Sequence, residues 1–269
     1  MAIKIGFSVG GQAQEKVKVD VAVRKQAQPR RALVEVRFAA RNNTLTYYNE
    51  RFDLKVGDIV YVDGKLEGER GCVVGINYNF KIKLADYQQV VAVADRTVKG
   101  EFFVAGSHFV TFDRAALPVE QALGWFMPPT KEEDLVCGYD DTTFALDRPE
   151  EMDIRPEVAH RGHEYFMENK VTYLCLDGGR GTAVVEGKRA YTVEFEYRGG
   201  QIGRMVCSCP FTENCKHEFA TMLQLRELLD RIHEAYGAQY EHSGYFAAIL
   251  KGVLFAVAVD GMETGRFVL

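Results

Sequence analysis

Apolar and polar positions alternate along much of residues 1–113. Runs such as ALVEVRFAA, QQVVAVADR and EFFVAGSHFVTFD follow the two-residue period of strands that bury one face. No window in this region shows the 3.6-residue period of an amphipathic helix. Glycines separate the short apolar runs and favour tight turns. The pattern therefore predicts a β-rich domain at 1–113, built as a small barrel or a sandwich.

Residues 114–159 break this alternation. The stretch LPVEQALGWFM predicts one short helix that ends before Pro128 and Pro129. The sequence after these prolines is acidic and contains Pro149 and Pro156. We interpret 114–159 as an acidic connector, and the sequence leaves open whether it packs onto its neighbours.

Strand patterns return after residue 160. VTYLCLDGGRGTAVVEG predicts a hairpin that turns at Asp177-Gly178-Gly179, AYTVEFEY alternates strictly, and IGRMVCSC is a further strand. The period then becomes helical, and Gly237 is expected to end the helix. The helical apolar positions are Phe219, Met222, Leu223, Leu225, Leu228, Leu229, Ile232 and Tyr236. The tail at 238–269 is predicted to form a strand pair around 260–261.

Charge is distributed unevenly along the chain, which carries a net charge of -5. Residues 1–115 have an excess of five positive charges, residues 116–159 an excess of eight negative charges, and the remainder an excess of two negative charges. A basic front is compatible with a polyanionic partner, although an ordinary mixed surface gives the same balance.

The first residues predict no secretory signal, and the longest apolar run predicts no membrane span. The first residues lack the charged start and apolar run of a secretory signal. The longest apolar stretch, at 245–259, is interrupted by Lys251 and Gly252 and is shorter than the roughly 20 residues of a membrane span. We expect a cytoplasmic protein whose thiols are reduced.

Three of the six cysteines lie within nine residues, and a histidine follows two positions later. On a strand, Cys207 and Cys209 face the same side, because residues two apart share a face. Cys215 and His217 lie where the chain enters the predicted helix, so its first turn can present both to one point. Three thiols and one imidazole in this spacing match a closed tetrahedral zinc site, which leaves no open position for water or substrate.

Other chemistry fits the cluster less well. A disulfide is disfavoured by a reducing compartment and by an odd number of clustered cysteines. A redox centre would show Cys-x-x-Cys beside a βαβ pattern, and a nucleophilic cysteine paired with His217 would not need two further thiols. We therefore predict one structural Zn²⁺ bound by Cys207, Cys209, Cys215 and His217. His160 and His163 are expected at the start of a helix or turn, away from the metal.

Cys-x-Cys, a spacer, and Cys-x-His before an apolar helix resemble the SWIM zinc finger. The resemblance extends over residues 160–230, because it includes the upstream sequence RGHEY and the strands after it, which are joined by glycine turns. The five-residue spacer is at or slightly below the short end expected for the family. The resemblance implies that Cys207, Cys209, Cys215 and His217 are the zinc ligands. It also implies a binding module that contacts DNA or proteins without catalysis.

A second, shorter resemblance lies in the front region. VGDIVYVDGKLEGERGCVVGI, at 56–76, resembles the KOW motif of SH3-like barrels in ribosomal and transcription-elongation proteins. The resemblance implies that Lys65 and Arg70, in its turn, contact phosphates or a protein partner. A generic β-hairpin with solvated charges is the alternative interpretation.

These patterns together predict an α+β, β-rich protein with a β-rich domain at 1–113, a connector at 114–159, a zinc domain at 160–237 and a strand pair at 238–269. The expected function is a non-enzymatic zinc-binding adaptor that binds nucleic acid, DNA rather than RNA, or assists a DNA-processing partner. The alternative is a protein–protein interaction scaffold without direct nucleic-acid contact. We expect a protein partner and no small-molecule substrate.

Overall fold

A computed structural model describes residues 29–130, 136–139, 142–258 and 264–268, the last range as backbone only. The described residues form both helices and strands, and the strands lie in two sheets. This confirms the predicted strand-rich α+β class. The turn predicted at 260–261 lies outside the described residues.

The smaller sheet lies in the front region and contains five strands. They are β1 (Ala32–Phe38), β2 (Asn43–Asn49), β3 (Ile59–Val62), β4 (Gly71–Asn77) and β5 (Val90–Val93). They pair antiparallel in the order β2-β1-β4-β3-β5. One bridge between Tyr48 and Gln89 brings the two edges together, but no ladder joins them. In the described residues the predicted small barrel is therefore a curled open sheet, because its edges meet at a single residue pair.

The larger sheet contains nine strands. They are β6 (Lys99–Ala105), β7 (His108–Thr111), β8 (Thr143–Ala145), β9 (Val171–Asp177), β10 (Arg180–Glu186), β11 (Ala190–Arg198), β12 (Gln201–Cys207), β13 (Tyr245–Leu250) and β14 (Thr264–Val268). Their order is β14-β6-β7-β13-β9-β10-β11-β12-β8, and only the β14–β6 pair is parallel. This sheet takes strands from all four segments that the sequence predicts.

The hairpins of the larger sheet turn where the sequence predicts. Gly178 and Gly179 join β9 to β10 with φ values of 55° and 90°, and Gly199 and Gly200 join β11 to β12 with 57° and 82°. Both residues of such a two-residue turn have positive φ, which glycine adopts without the steric cost of a Cβ.

Four helices pack on the sheets: α1 (Val119–Leu123), α2 (Pro156–Met167), α3 (Lys216–Ser243) and α4 (Lys251–Ala258). One face of the larger sheet is covered by α3, whose Leu225 and Ile232 are buried with Val193 and Phe195 of β11. The opposite face is covered by α4 and by the segment around Trp125. The Trp125 side chain is fully buried. None of the described helices is both long and apolar enough to cross a bilayer.

Two features near the end of the chain differ from the prediction. The helix is interrupted at Tyr236, whose angles are non-helical (φ -137°, ψ 23°), one residue before the predicted stop at Gly237. A second helical segment then continues to a left-handed cap at Gly244. The two terminal strands do not pair with each other: β13 pairs with β7 and β9, whereas β14 pairs with β6. The helix between them was not foreseen, since a nearly continuous apolar run shows no period.

The described part of the acidic connector packs onto the larger sheet. β8 pairs with β12, which places Phe144 opposite Ile202. The amide of Leu146 donates to the carbonyl of Gly200 at 2.9 Å. Pro156 occupies the first turn of α2, where its missing N–H costs no helical hydrogen bond. The connector therefore supplies an edge strand and a helix to the unit that contains the cysteine cluster.

Candidate metal centre

The cysteine cluster lies where β12 ends and α3 begins. Cys207 is the last residue of β12 and lies opposite Val193 of β11. Cys209 lies in the bend after the strand, and not on the strand as the sequence predicts. Cys215 is the N-cap of α3, and His217 is the second residue of that helix. The site is thus assembled from one strand end, one bend and one helix start.

A bulge in β12 turns Cys207 toward α3. Ile202, in the first part of the strand, is buried on the face that α3 covers. Simple alternation would then place Cys207, five residues later, on the opposite face. The register shifts between these residues, and Arg204 has a positive φ of 49°. The extra residue of the bulge reverses the parity, and Cys207 packs against the α3 side.

The four residues predicted to bind zinc lie together. One ligand atom from each of Cys207, Cys209, Cys215 and His217 lies within 4.8 Å of the other three. The Nδ1 atom of His217 is 3.7 Å from the Cys207 Sγ and 3.6 Å from the Cys215 Sγ. In the described ranges this is the one group of three or more Cys, His, Asp or Glu donors that converges in this way. The group can hold one metal ion.

Burial sets the protonation of these ligands. Cys215 and His217 are 3% and 5% exposed. Burial lowers the pKa of His217 to about 4, so its imidazole is neutral at pH 7 and offers a lone pair. A hydrogen bond with the Cys207 thiol, together with burial, raises the pKa of Cys215 well above its usual range. Thiolates this close together need a cation, and metal binding would therefore release thiol protons.

A capping box fixes the two ligands on α3. The amide of Cys215 donates to the Glu218 Oε2 at 2.6 Å, and the Cys215 side chain accepts from the amide of Glu218. This is the reciprocal arrangement of a capping box, with a cysteine at the position usually held by serine or threonine. Because Glu218 is only 5% exposed, its carboxylate holds Cys215 in place from inside the protein.

Neighbouring strands and the connector hold the rest of the loop. The Ser208 amide donates to the Thr192 carbonyl and the Thr192 amide donates to the Ser208 Oγ, both at 2.9 Å. The Asn214 side chain donates to the Asp153 carbonyl at 2.8 Å. Arg155 forms an ion pair with Glu213 at 3.2 Å. The residue between Cys207 and Cys209 is therefore bound to β11, and the spacer before Cys215 is bound to the connector.

The RGHEY sequence brings α2 against the start of α3. A Cβ at Gly162 would lie 2.9 Å from the Lys216 carbonyl oxygen and 2.9 Å from the Phe219 Cβ. Only glycine allows this approach. Three residues later, the Tyr165 ring meets the His217 ring edge-on at 5.5 Å, while Tyr191 stacks on its other side at 4.5 Å. The lead-in sequence therefore packs around the histidine ligand.

The other candidate residues lie away from the cluster. His160 and His163 are exposed in the middle of α2, not at a helix start, and His160 lies 3.5 Å from Glu164. Lys65 is exposed in the turn of the KOW-like hairpin. Arg70 is also exposed, and its Nη1 donates to the Trp125 carbonyl at 2.9 Å. Arg70 thus links the smaller sheet to the segment that covers the larger one.

Comparison of the chain with models of known protein families, with curated proteins and with solved structures found no match. All six cysteines, each within the described residues, are free thiols. Two features of the site were missed in the sequence: the bulge at Arg204 and the capping role of Glu218. The spacing Cys215-x-x-Glu218 was a usable signal for the second of these.

Proposed function

We propose that this chain is a non-enzymatic adaptor that binds one structural Zn²⁺ in a SWIM-type site and contacts nucleic acid. The observation that carries the proposal is the convergence of three thiols and one imidazole within 4.8 Å. Zn–S bonds of about 2.3 Å and a Zn–N bond of about 2.0 Å give tetrahedral S···N edges of about 3.5 Å. The S···N distances of 3.7 and 3.6 Å match these edges.

The donor set supports zinc and a structural role. Soft thiolate and imidazole ligands favour zinc over magnesium or calcium, which prefer oxygen. Four protein ligands complete the tetrahedron and leave no position for a reacting water or substrate. The ion would join the end of β12 to the first turn of α3 and fix the spacer that contacts the connector.

Basic side chains on the smaller sheet support nucleic-acid contact. Examples that are exposed and have no ion pair with a carboxylate among the described residues are Arg37, Lys55, Lys65, Lys81 and Lys83. Exposed cations neutralise phosphates where they meet a nucleic acid, so binding through them weakens as salt rises. The SWIM resemblance supports the same function, and DNA is the partner it favours.

A protein-scaffold function is the second candidate. Residues 160–232 carry ten basic and ten acidic residues, so the zinc region has no net charge to attract a polyanion. In this alternative the nucleic acid belongs to a partner, and the exposed surfaces of the chain contact that partner.

A gel-shift titration of the zinc-loaded full chain with duplex and single-stranded DNA, at several salt concentrations, separates the two functions. Direct binding predicts a shifted band at low salt whose apparent affinity falls linearly on a log–log plot against salt. Absence of a shifted band with either DNA at low salt would contradict nucleic-acid binding and favour the scaffold.

A further inference from the structure

A recess of about 280 Å³ lies beside the cysteine cluster, at the corner where α2, the β10–β11 turn and the start of α3 meet. The residues that line it are Tyr165, Lys188, Tyr191, Cys209, Pro210, Phe211, Lys216 and His217. None of them is acidic. Its volume is near the lower end, about 300 Å³, of sites that hold small ligands. The recess has room for one small unit of a longer ligand.

Two lysines give the recess a positive charge. Lys188 is exposed in the β10–β11 turn, and Lys216 is half-buried at the first position of α3. Neither ammonium is paired with a carboxylate in the part of the chain that the structure describes. The Lys216 Nζ donates to the Tyr165 hydroxyl at 2.6 Å, which holds the cation at the wall of the recess. Arg189, next in the turn, lies 5.3 Å from the centre of the Tyr191 ring.

Aromatic rings supply the second property of the recess. Phe211 is 41% exposed, so its ring offers an apolar surface to a ligand. The Arg155 guanidinium lies 5.3 Å from its ring centre and covers one face, so a flat ligand would stack on the other face. The metal site holds this ring in place, since Phe211 lies in the spacer between the two ligand pairs.

The histidine at the wall has an unpaired donor. The His217 Nδ1 is the ring nitrogen nearest the thiols, and its Nε2 is buried with no hydrogen-bond partner in the described ranges. A metal-bound imidazole ordinarily donates its second N–H to an acceptor. This N–H is therefore unsatisfied within the described part of the protein, next to the recess.

We propose that this recess binds one nucleotide of single-stranded nucleic acid, with the base stacked on Phe211 and its phosphate between Lys188 and Lys216. Single-strand binding sites combine a basic groove with exposed aromatic rings, and the recess has both. A duplex would use the phosphate contacts but not the ring, because its bases are already stacked. This inference rests on the proposed function, and it adds the form of the nucleic acid and the place where it binds.

The test is fluorescence anisotropy with the zinc-loaded full chain. The probe is a labelled oligothymidylate of about 15 nucleotides, which covers a typical single-strand site. Phe211→Leu keeps the apolar volume but removes the π face, and is expected to weaken binding by about 10-fold. Lys188→Gln is expected to lower the slope of log affinity against log salt by about 0.7, the value of one phosphate contact.

Matched control variants remove an aromatic ring or a lysine charge at positions outside the recess. Tyr139→Leu removes an exposed aromatic ring that also lies near an arginine, with Arg204 at 5.9 Å. Lys99→Gln removes an exposed charge from β6. Both are expected to bind the oligonucleotide like the wild type. Zinc content and the fluorescence of Trp125, the single tryptophan, verify that each variant is folded.

The outcomes separate this inference from the proposed function. If the wild type binds the oligonucleotide but Phe211→Leu and Lys188→Gln behave like their controls, the recess assignment is wrong and nucleic-acid binding stands. If the wild type binds neither single strands nor duplex at low salt, the proposed function fails. Displacement of the oligonucleotide by polyglutamate, without any effect of Phe211→Leu, would assign the recess to an acidic peptide and overturn the proposal.

Discussion

Gly162→Ala separates two opposing effects at the contact between α2 and α3. Alanine stabilises a helix interior by about 1 kcal/mol relative to glycine. At Gly162, however, the new methyl group would lie 2.9 Å from both a backbone oxygen and the Phe219 Cβ, and neither atom can move without moving α3. Overpacking of this kind costs about 1–3 kcal/mol. We expect a net loss of about 0–2 kcal/mol in the free energy of unfolding.

Gly237→Ala in α3 is the matched control. A Cβ at Gly237 would meet no atom within 4 Å, so this variant has no clash. Because the kink at Tyr236 is adjacent, the variant gains at most the helix-propensity term. The difference between the two variants then isolates the cost of the contact, about 1–3 kcal/mol. Urea unfolding monitored by Trp125 fluorescence measures both, because this residue is fully buried against the larger sheet.

The sign of that difference tests the helix contact. If Gly162→Ala stabilised the zinc-loaded chain as much as Gly237→Ala does, α2 could not approach α3 as described. The RGHEY sequence would then need another explanation than close packing around the histidine ligand.

Two further substitutions test the interior. Glu218→Ala removes the acceptor of the Cys215 amide and is expected to weaken metal binding by about 10-fold in a chelator competition. The metal affinity of Glu218→Gln is expected to lie between those of the wild type and Glu218→Ala. Equal affinities in all three proteins would show that the capping box does not support the site. His108 is fully buried between the Ser107 Oγ and the Val171 carbonyl, and burial lowers its pKa. The unfolded chain therefore binds more protons, and stability should fall as the pH drops below about 6.5, more steeply than in His108→Gln.

Periodicity predicted the hairpins well because their turns carry a chemical signal. Gly178 and Gly199 each begin a pair of glycines, and such pairs between alternating runs favour a tight turn. The alternation of β11 likewise identified Val193 and Phe195 as buried. The convergence of Cys207, Cys209, Cys215 and His217 was predicted for a related reason, since three thiols and an imidazole at short spacing match a metal site.

Long-range pairing and local irregularities left no comparable signal. β9 hydrogen-bonds to β13, about 70 residues later, and β14 joins β6 from the far end of the chain. Strand periodicity identifies a buried face but does not identify the neighbouring strand. The bulge at Arg204 directly follows Gly203, and a single glycine inside a strand is only a weak signal of a bulge. Yet this bulge decides that Cys207 faces α3.

Metal stoichiometry tests the central claim most directly. Three proteins are compared: the wild type, Cys209→Ala and the control Cys137→Ala. The Cys137 thiol is exposed and lies outside the cluster. Each protein is loaded with zinc and desalted, and its metal content is measured by mass spectrometry. We predict one zinc per chain in the wild type and in the control, and at least about 100-fold weaker retention by Cys209→Ala against a chelator. A wild type that keeps no zinc, or a Cys209→Ala variant that keeps it as tightly, would contradict the account.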